Sequence, residues 1–321
     1  MVWIPGISRL EKRKGGGRGG GGTSSGGSKG GTSSSGSSSS GSKGGTSSGT
    51  TSSGGGTTSS SGGTSRPAFS VPNTATGTKG ASTYGSGGGR VSTIPAGTAF
   101  AGRQQGGATR DQVYGSNVYG SGYPAGYSAT GRGVGGAGFP FYFWPLAWGG
   151  GLGYGAAYLH NREYGDPNNS SRPGGPMMQF SITSPAPIAT YHVVSDNNTV
   201  HALIDTLTTN CSTISNKPLT AKSFSGGVGD PQPETTVQYY RSSSVALTLD
   251  GYNNTAALSD DTSLPNTPLP TSLDQTFLNC LNVTIGASVP LIDGACPSLS
   301  VNGASVWLFV ATVLVAVRNA L

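Results

Sequence analysis

Charge is scarce in this chain. Asp, Glu, Lys and Arg make up 10% of its 321 residues, against about 25% in an ordinary globular domain. Apolar residues are also few, at 33%, while glycine alone numbers 56. This composition points to one modest folded unit with long unstructured flanks. Histidine occurs only at His160, His192 and His201, and cysteine only at Cys211, Cys280 and Cys296. Their spacing matches no Cys/His metal site, and no phosphate loop carries the required Lys. Gly26 to Gly30 spells G-x-S-x-G, but in a Gly/Ser coil without the preceding strand that a nucleophile elbow needs. Asp260-Asp261 reads as a solvated loop pair. The expectation is a non-enzyme with no cofactor.

The first residues do not read as a secretory leader either. Met1 to Leu10, MVWIPGISRL, is too short and too interrupted for one. One expectation is that translation starts further upstream.

Long apolar runs are nearly absent. Val306 to Val317, VWLFVATVLVAV, is a run without charge, Gly or Pro. As a helix it would span about 18 Å at 1.5 Å per residue, against about 30 Å of bilayer hydrocarbon. The order of small residues at Asp293-Gly294-Ala295, a mostly polar spacer and a short apolar tail resembles a glycosylphosphatidylinositol signal. Asp293 and Gly294 are then the lipid attachment positions. A membrane helix and a buried C-terminal helix remain alternatives. Cleavage there would discard Cys296 and leave Cys211 and Cys280 to form a disulfide in an oxidising compartment.

The charge that is present is unevenly placed. Residues 1–135 hold 13 Lys/Arg against two acids, a net +11, and the remainder holds six against eleven, a net −5. A basic arm suggests contact with anions such as wall glycans, phosphate groups or a membrane surface. Arg18 and Arg132 lie in Arg-Gly contexts, too few for the aromatic-interleaved segments that bind nucleic acid.

Four regions follow along the chain. Residues 1–135 form the Gly/Ser-rich arm; from Lys14 to Gly135 its thirteen large apolar residues cannot offset the ordering of about 120 backbones. It should be disordered. Residues 136–165 form an aromatic strap, rich in Gly and broken by Pro140 and Pro145. It would lie across the folded domain, self-associate or sit at an interface. Residues 166–293 form a small α+β domain, with strands near 178–182, 190–194, 235–240 and 244–249. One helix starts near Asp196 to Asn198. A second is capped by Thr271 or Ser272 and carries Leu273, Phe277, Leu278 and Leu281. Residues 294–321 complete the chain as a hydrophobic helix or lipid signal. Asn-x-Ser/Thr acceptors occur at Asn168, Asn169, Asn197, Asn210, Asn253 and Asn282, all outside the arm.

At Gly138 to Gly151, GFPFYFWPLAWGGG, followed by Arg162 to Gly165 and Asn169 to Gly175, the chain resembles surface proteins of filamentous fungi. These similarly join a Gly/Ser leader, an aromatic strap, a small glycosylated domain and an apolar tail. The resemblance brings no activity or site residues. It implies a non-enzymatic cell-surface or wall-associated protein, anchored in the membrane through its C-terminus on the extracellular side. The alternatives are a tail-anchored protein facing the cytosol and a Gly-rich nucleic-acid-binding protein.

Overall fold

The computed structural model describes residues 68–74, 77–129, 131–149, 157–160 and 162–294, all within the unit spanning 62–321. In chain order the elements are β1 (Ala68–Thr74), β2 (Gly77–Ser82), β3 (Ser92–Thr93), β4 (Gln104–Gln105), β5 (Met177–Thr183) and β6 (Thr190–Asp196). Then come α1 (Asn197–Asn210), β7 (Lys222–Ser223), β8 (Thr236–Tyr240), β9 (Val245–Leu249), α2 (Gln275–Ser288) and β10 (Leu291–Ile292).

Five strands form an antiparallel sheet in the order β7-β5-β6-β9-β8. Side chains alternate across its two faces, as the pleat requires. One face carries Phe180, Ile182, Tyr191, Val193, Leu247 and Leu249, and packs on Val200, Leu203 and Leu207 of α1 and Phe277, Leu281 and Ile285 of α2. The other carries Met177, Val194, Tyr239 and Ala246. Its cover is aromatic: Phe139, Leu146 and Trp148 from the strap, with Tyr119 and Val134 from the preceding segment. Every residue of β9 is therefore buried, as expected of a strand covered on both faces.

The sheet-rich domain with two helices in the C-terminal half agrees with the sequence reading. The expected disorder up to residue 135 does not hold from Ala68 onward. Val71, Ile94, Val113, Tyr119 and Val134 are buried, and β1 and β2 form a second sheet with β10. The cause lies in distribution. All thirteen large apolar residues between Lys14 and Gly135 fall at or after Phe69, so averaging over the Gly/Ser run hides a segment dense enough to pack. Residues 1–67 lie outside the described residues. So do Cys296 and the apolar run 306–317, and with them the expected C-terminal helix. Among the described residues no helix is long and apolar enough to cross a membrane.

The helix starts are set by aspartates. Asp196 caps α1, accepting from the Thr199 backbone N–H at 3.0 Å. Asp274, rather than Thr271 or Ser272, caps α2, accepting from the N–H groups of Thr276 and Phe277 at 2.9 and 3.0 Å. Leu273 thus precedes the helix. Asp is as good a cap as Ser, and Asp274 sits one turn closer to the apolar stripe.

Cys211 ends α1 and Cys280 lies inside α2, and a disulfide joins them with the Cα atoms 6.0 Å apart. It closes a loop of sequence separation 69, which restricts the unfolded chain by about 4 kcal/mol in the loop-entropy description.

The β8–β9 hairpin turns through Arg241, Ser242 and Ser243, three consecutive non-glycine residues at φ 50°, 50° and 61°. Left-handed backbone costs such residues roughly 1–2 kcal/mol each. The turn is enclosed, and its polar groups are satisfied. Arg241 Nη2 donates to Asp196 Oδ2 at 2.6 Å, Nη1 to Thr199 Oγ1 and the Pro290 carbonyl, and Nε to Ser244 Oγ. The guanidinium lies 3.5 Å from the Phe143 ring centre. Burial lowers its pKa, and Asp196 opposes the shift.

Two outcomes are expected. Cys280→Ser should lower unfolding stability by about 2–5 kcal/mol, read as a drop in the urea midpoint; an unchanged midpoint would deny the disulfide a role. Asp196→Ala removes the α1 cap and strands a buried guanidinium, and should cost about 3–5 kcal/mol in the same assay.

Candidate functional site

A recess of about 260 Å³ opens where the β3–β4 hairpin meets the strap. The hairpin loop, 94–103, is folded by its own backbone bonds: Ile94 N–H to the Arg103 carbonyl, Gly102 N–H to that of Ile94, and Arg103 N–H to that of Phe100. Gly97 and Gly102 take φ of 84° and 85°, which glycine does freely. Phe100 takes 64°, a left-handed conformation that is a true outlier for a bulky residue. The loop thereby holds the Phe100 ring against the strap.

Ile94, Ala99 and Phe100 line the hairpin side of the recess, and Trp144 lines the strap side. Phe100 meets Trp144 edge-on at 4.9 Å between ring centres, and Phe139 at 5.0 Å. It stacks on Tyr164 at 5.6 Å. The polar lining is Thr74, Thr98, Gln105 and Ser171. Gln105 is 3% exposed. Its Nε2 donates to Ser92 Oγ at 3.4 Å, and its amide oxygen accepts no hydrogen bond among the described residues. Thr98 is exposed and its hydroxyl donates to the Pro95 carbonyl at 2.8 Å.

Two arginines stand behind the rings, and neither lines the recess. Arg172 is 2% exposed; its guanidinium lies 5.6 Å from the Trp144 ring centre. It donates to the carbonyls of Tyr164, Trp144 and Pro145. Burial pulls its pKa down to about 10, against the opposing effects of Tyr119 and Asp196. Arg103 lies 5.3 Å from the Phe100 ring centre and forms an ion pair with Glu163. The Tyr164 hydroxyl donates to the Val134 carbonyl, and burial pushes its pKa up to about 12 despite Arg103. A second recess of about 260 Å³, lined by Gly102, Gly126, Gly136 and Gly138 with Arg103 and Tyr127, is flanked by the same Arg103–Glu163 pair.

The residues singled out from sequence lie elsewhere. Among the acceptor asparagines, Asn168 and Asn253 are exposed and make no hydrogen bond among the described residues. Asn169 is half-buried, and its Oδ1 accepts from the Ser171 N–H at 2.9 Å. Asn197 opens α1, with its acceptor hydroxyl, Thr199, fully buried. Asn210 is exposed but donates to the Thr206 carbonyl and the Tyr84 hydroxyl beside bonded Cys211. Asn282 is half-buried and accepts from the Tyr240 hydroxyl at 2.7 Å.

Asp293 is tied into the fold. Its carboxylate accepts from Ser82 Oγ at 2.7 Å and from the Gly87 N–H at 2.8 Å, and the Gly294 N–H donates to the Gly87 carbonyl at 2.9 Å. His192 Nε2 lies 3.0 Å from Asp250 Oδ1, and His201 is exposed on α1. Sequence reasoning missed Phe100, Gln105 and Trp144 as a group. The available signal was an aromatic between Gly97 and Gly102, a hairpin-like spacing inside a segment taken as coil.

Burial also raises the pKa values of Tyr119, Tyr123, Tyr239 and Tyr240. Each phenol ionises more readily in the unfolded chain, where it titrates near 10. Their contribution to stability should be complete below pH 10 and fall away toward pH 12, the value for Tyr164. Urea midpoints measured from pH 9 to 12 should decline across that window; a flat profile would contradict it.

Comparison with protein-family models, with curated proteins and with solved structures returned no match to this chain.

Proposed function

We propose that this is a non-enzymatic cell-surface protein, held at the membrane through its C-terminal apolar run and facing outward. The observation that carries the reading is the Cys211–Cys280 disulfide. Such bonds persist in secretory and extracellular compartments and are rare where glutathione keeps thiols reduced. Exposed acceptor asparagines at Asn168 and Asn253 fit the same compartment.

The position of the tether also fits. The last strand, β10, ends at Ile292, and Asp293 and Gly294 follow at once. Transamidation at Asp293 would put the lipid's ethanolamine nitrogen where the Gly294 nitrogen now stands. The new amide N–H could keep the bond to the Gly87 carbonyl, so this cut would not unravel the fold. Ahead of the domain, the basic Gly/Ser arm would reach into the surrounding wall or matrix and meet acidic glycans or other anions there. Nucleic acid is a poor fit to so few arginines.

Native protein from membranes should gain mobility after peptide-N-glycosidase treatment. Phosphatidylinositol-specific phospholipase C should then release it into the supernatant. A shift without release would replace the lipid with a membrane helix. A soluble, unshifted polypeptide with free Cys211 and Cys280 thiols would refute the surface reading.

A further inference from the structure

We propose that the recess lined by Phe100 and Trp144 binds a neutral pyranose ring, one sugar unit of a glycan chain. A pyranose presents an apolar face of C–H groups and a rim of hydroxyls. It therefore needs an aromatic surface for the face and fixed, uncharged hydrogen-bonding groups for the rim. The recess supplies both. Phe100 and Trp144 form the aromatic walls. The Gln105 amide, held by Ser92, and the Thr98 hydroxyl supply the polar groups.

Size and charge narrow the class. A volume of about 260 Å³ lies just below the roughly 300–1,000 Å³ of pockets that enclose drug-sized ligands, so one ring fits and its neighbours would extend into solvent. Acidic ligands are disfavoured. No cation lines the recess: Arg172 lies buried behind Trp144, donating to three backbone carbonyls, and Arg103 is paired with Glu163 behind Phe100. The Phe100 backbone supports a site. Its φ of 64° carries a cost on the order of 1–3 kcal/mol, and the packing of this loop holds the ring at the recess wall. This inference does not rest on the mode of membrane attachment. It would hold equally for a protein released from the membrane.

The test uses the full chain and three neutral oligosaccharides: cellohexaose, laminarihexaose and chitohexaose. Each is titrated by isothermal calorimetry and by tryptophan fluorescence. At least one should bind with a dissociation constant on the order of 0.1–1 mM. Ala99→Trp fills the recess from an exposed position and should weaken that binding at least tenfold, with the thermal midpoint unchanged. Trp144→Ala should also weaken that binding, with some loss of stability, and Trp144→Phe should restore part of the affinity. The proposal fails if none of the three sugars binds, or if Ala99→Trp binds as the parent does. It also fails if a heparin hexasaccharide or a proline decamer, rather than a neutral sugar, is the ligand that Ala99→Trp excludes.

Discussion

The contact between Arg241 and Asp196 joins more of this molecule than any other interaction. Asp196 ends β6 and caps α1; Arg241 opens the β8–β9 turn. Their ion pair therefore fixes the start of one helix against the neighbouring β8–β9 turn. The same guanidinium reaches the Pro290 carbonyl just before β10 and lies on the ring of Phe143 in the strap. A lysine could not do this, because its compact ammonium lacks the planar fork and the flat face. Buried pairs of this kind contribute little net stability relative to apolar packing, and their best-attested role is to fix register. Here the turn they hold is itself unfavourable, with three left-handed residues in succession. Its enclosure is completed by the Arg241 N–H to the Val113 carbonyl, the Leu146 N–H to that of Ser243, and the Gly120 N–H to Ser243 Oγ. The segment before the domain and the strap thus close over the hairpin as integral parts of the fold.

That closure explains which parts of the fold could be read from sequence. The strands and helices of the sheet-and-helix layer carry period-2 and period-3.6 patterns, because each has one neighbour of known kind. Val200, Leu203 and Leu207 announce α1 for that reason. The aromatic layer has no period. Phe139, Leu146 and Trp148 sit on irregular backbone and are placed by tertiary contact with Tyr239 and Phe224. The second face of the sheet was nonetheless visible in principle. Met177, Val194 and Ala246 occupy positions that solvent would have made polar, and an apolar second face requires a cover. The strap is the nearest apolar segment able to supply it.

The disulfide and the recess differ in legibility for related reasons. Three cysteines leave few pairings, and Cys211 and Cys280 fall on adjoining helices. The recess depends on geometry that no local pattern encodes. Ile94 and Gln105 come together only because Gly97 and Gly102 let a ten-residue loop double back, and Trp144 arrives from forty residues further on. Thr74 comes from a different sheet. Composition misleads here in a specific way. The same glycine content that makes residues 15–64 read as coil supplies, from Gly77 onward, the positive-φ corners of a tight loop-rich layer. Gly120 illustrates this: at φ 88° a side chain would collide with the Gly133 backbone, so the two stretches of irregular chain touch there only without a Cβ.

Glycine-rich chain and aromatic residues together therefore build a layer with backbone at close approach and rings as its bulk. Such a layer is stiff where rings interlock, as Phe100, Phe139, Trp144 and Tyr164 do. It also leaves shallow gaps where a glycine corner meets a ring edge. On the opposite face, side chains of two regular helices interdigitate with the sheet. The division of labour follows from packing geometry. Helices cover the sheet on one side, and the irregular aromatic layer, with its recess, covers the other. A change on the helical side should alter stability without touching the recess, whereas the loop holding Phe100 couples both, since its ring is at once part of the cover and the wall of the recess.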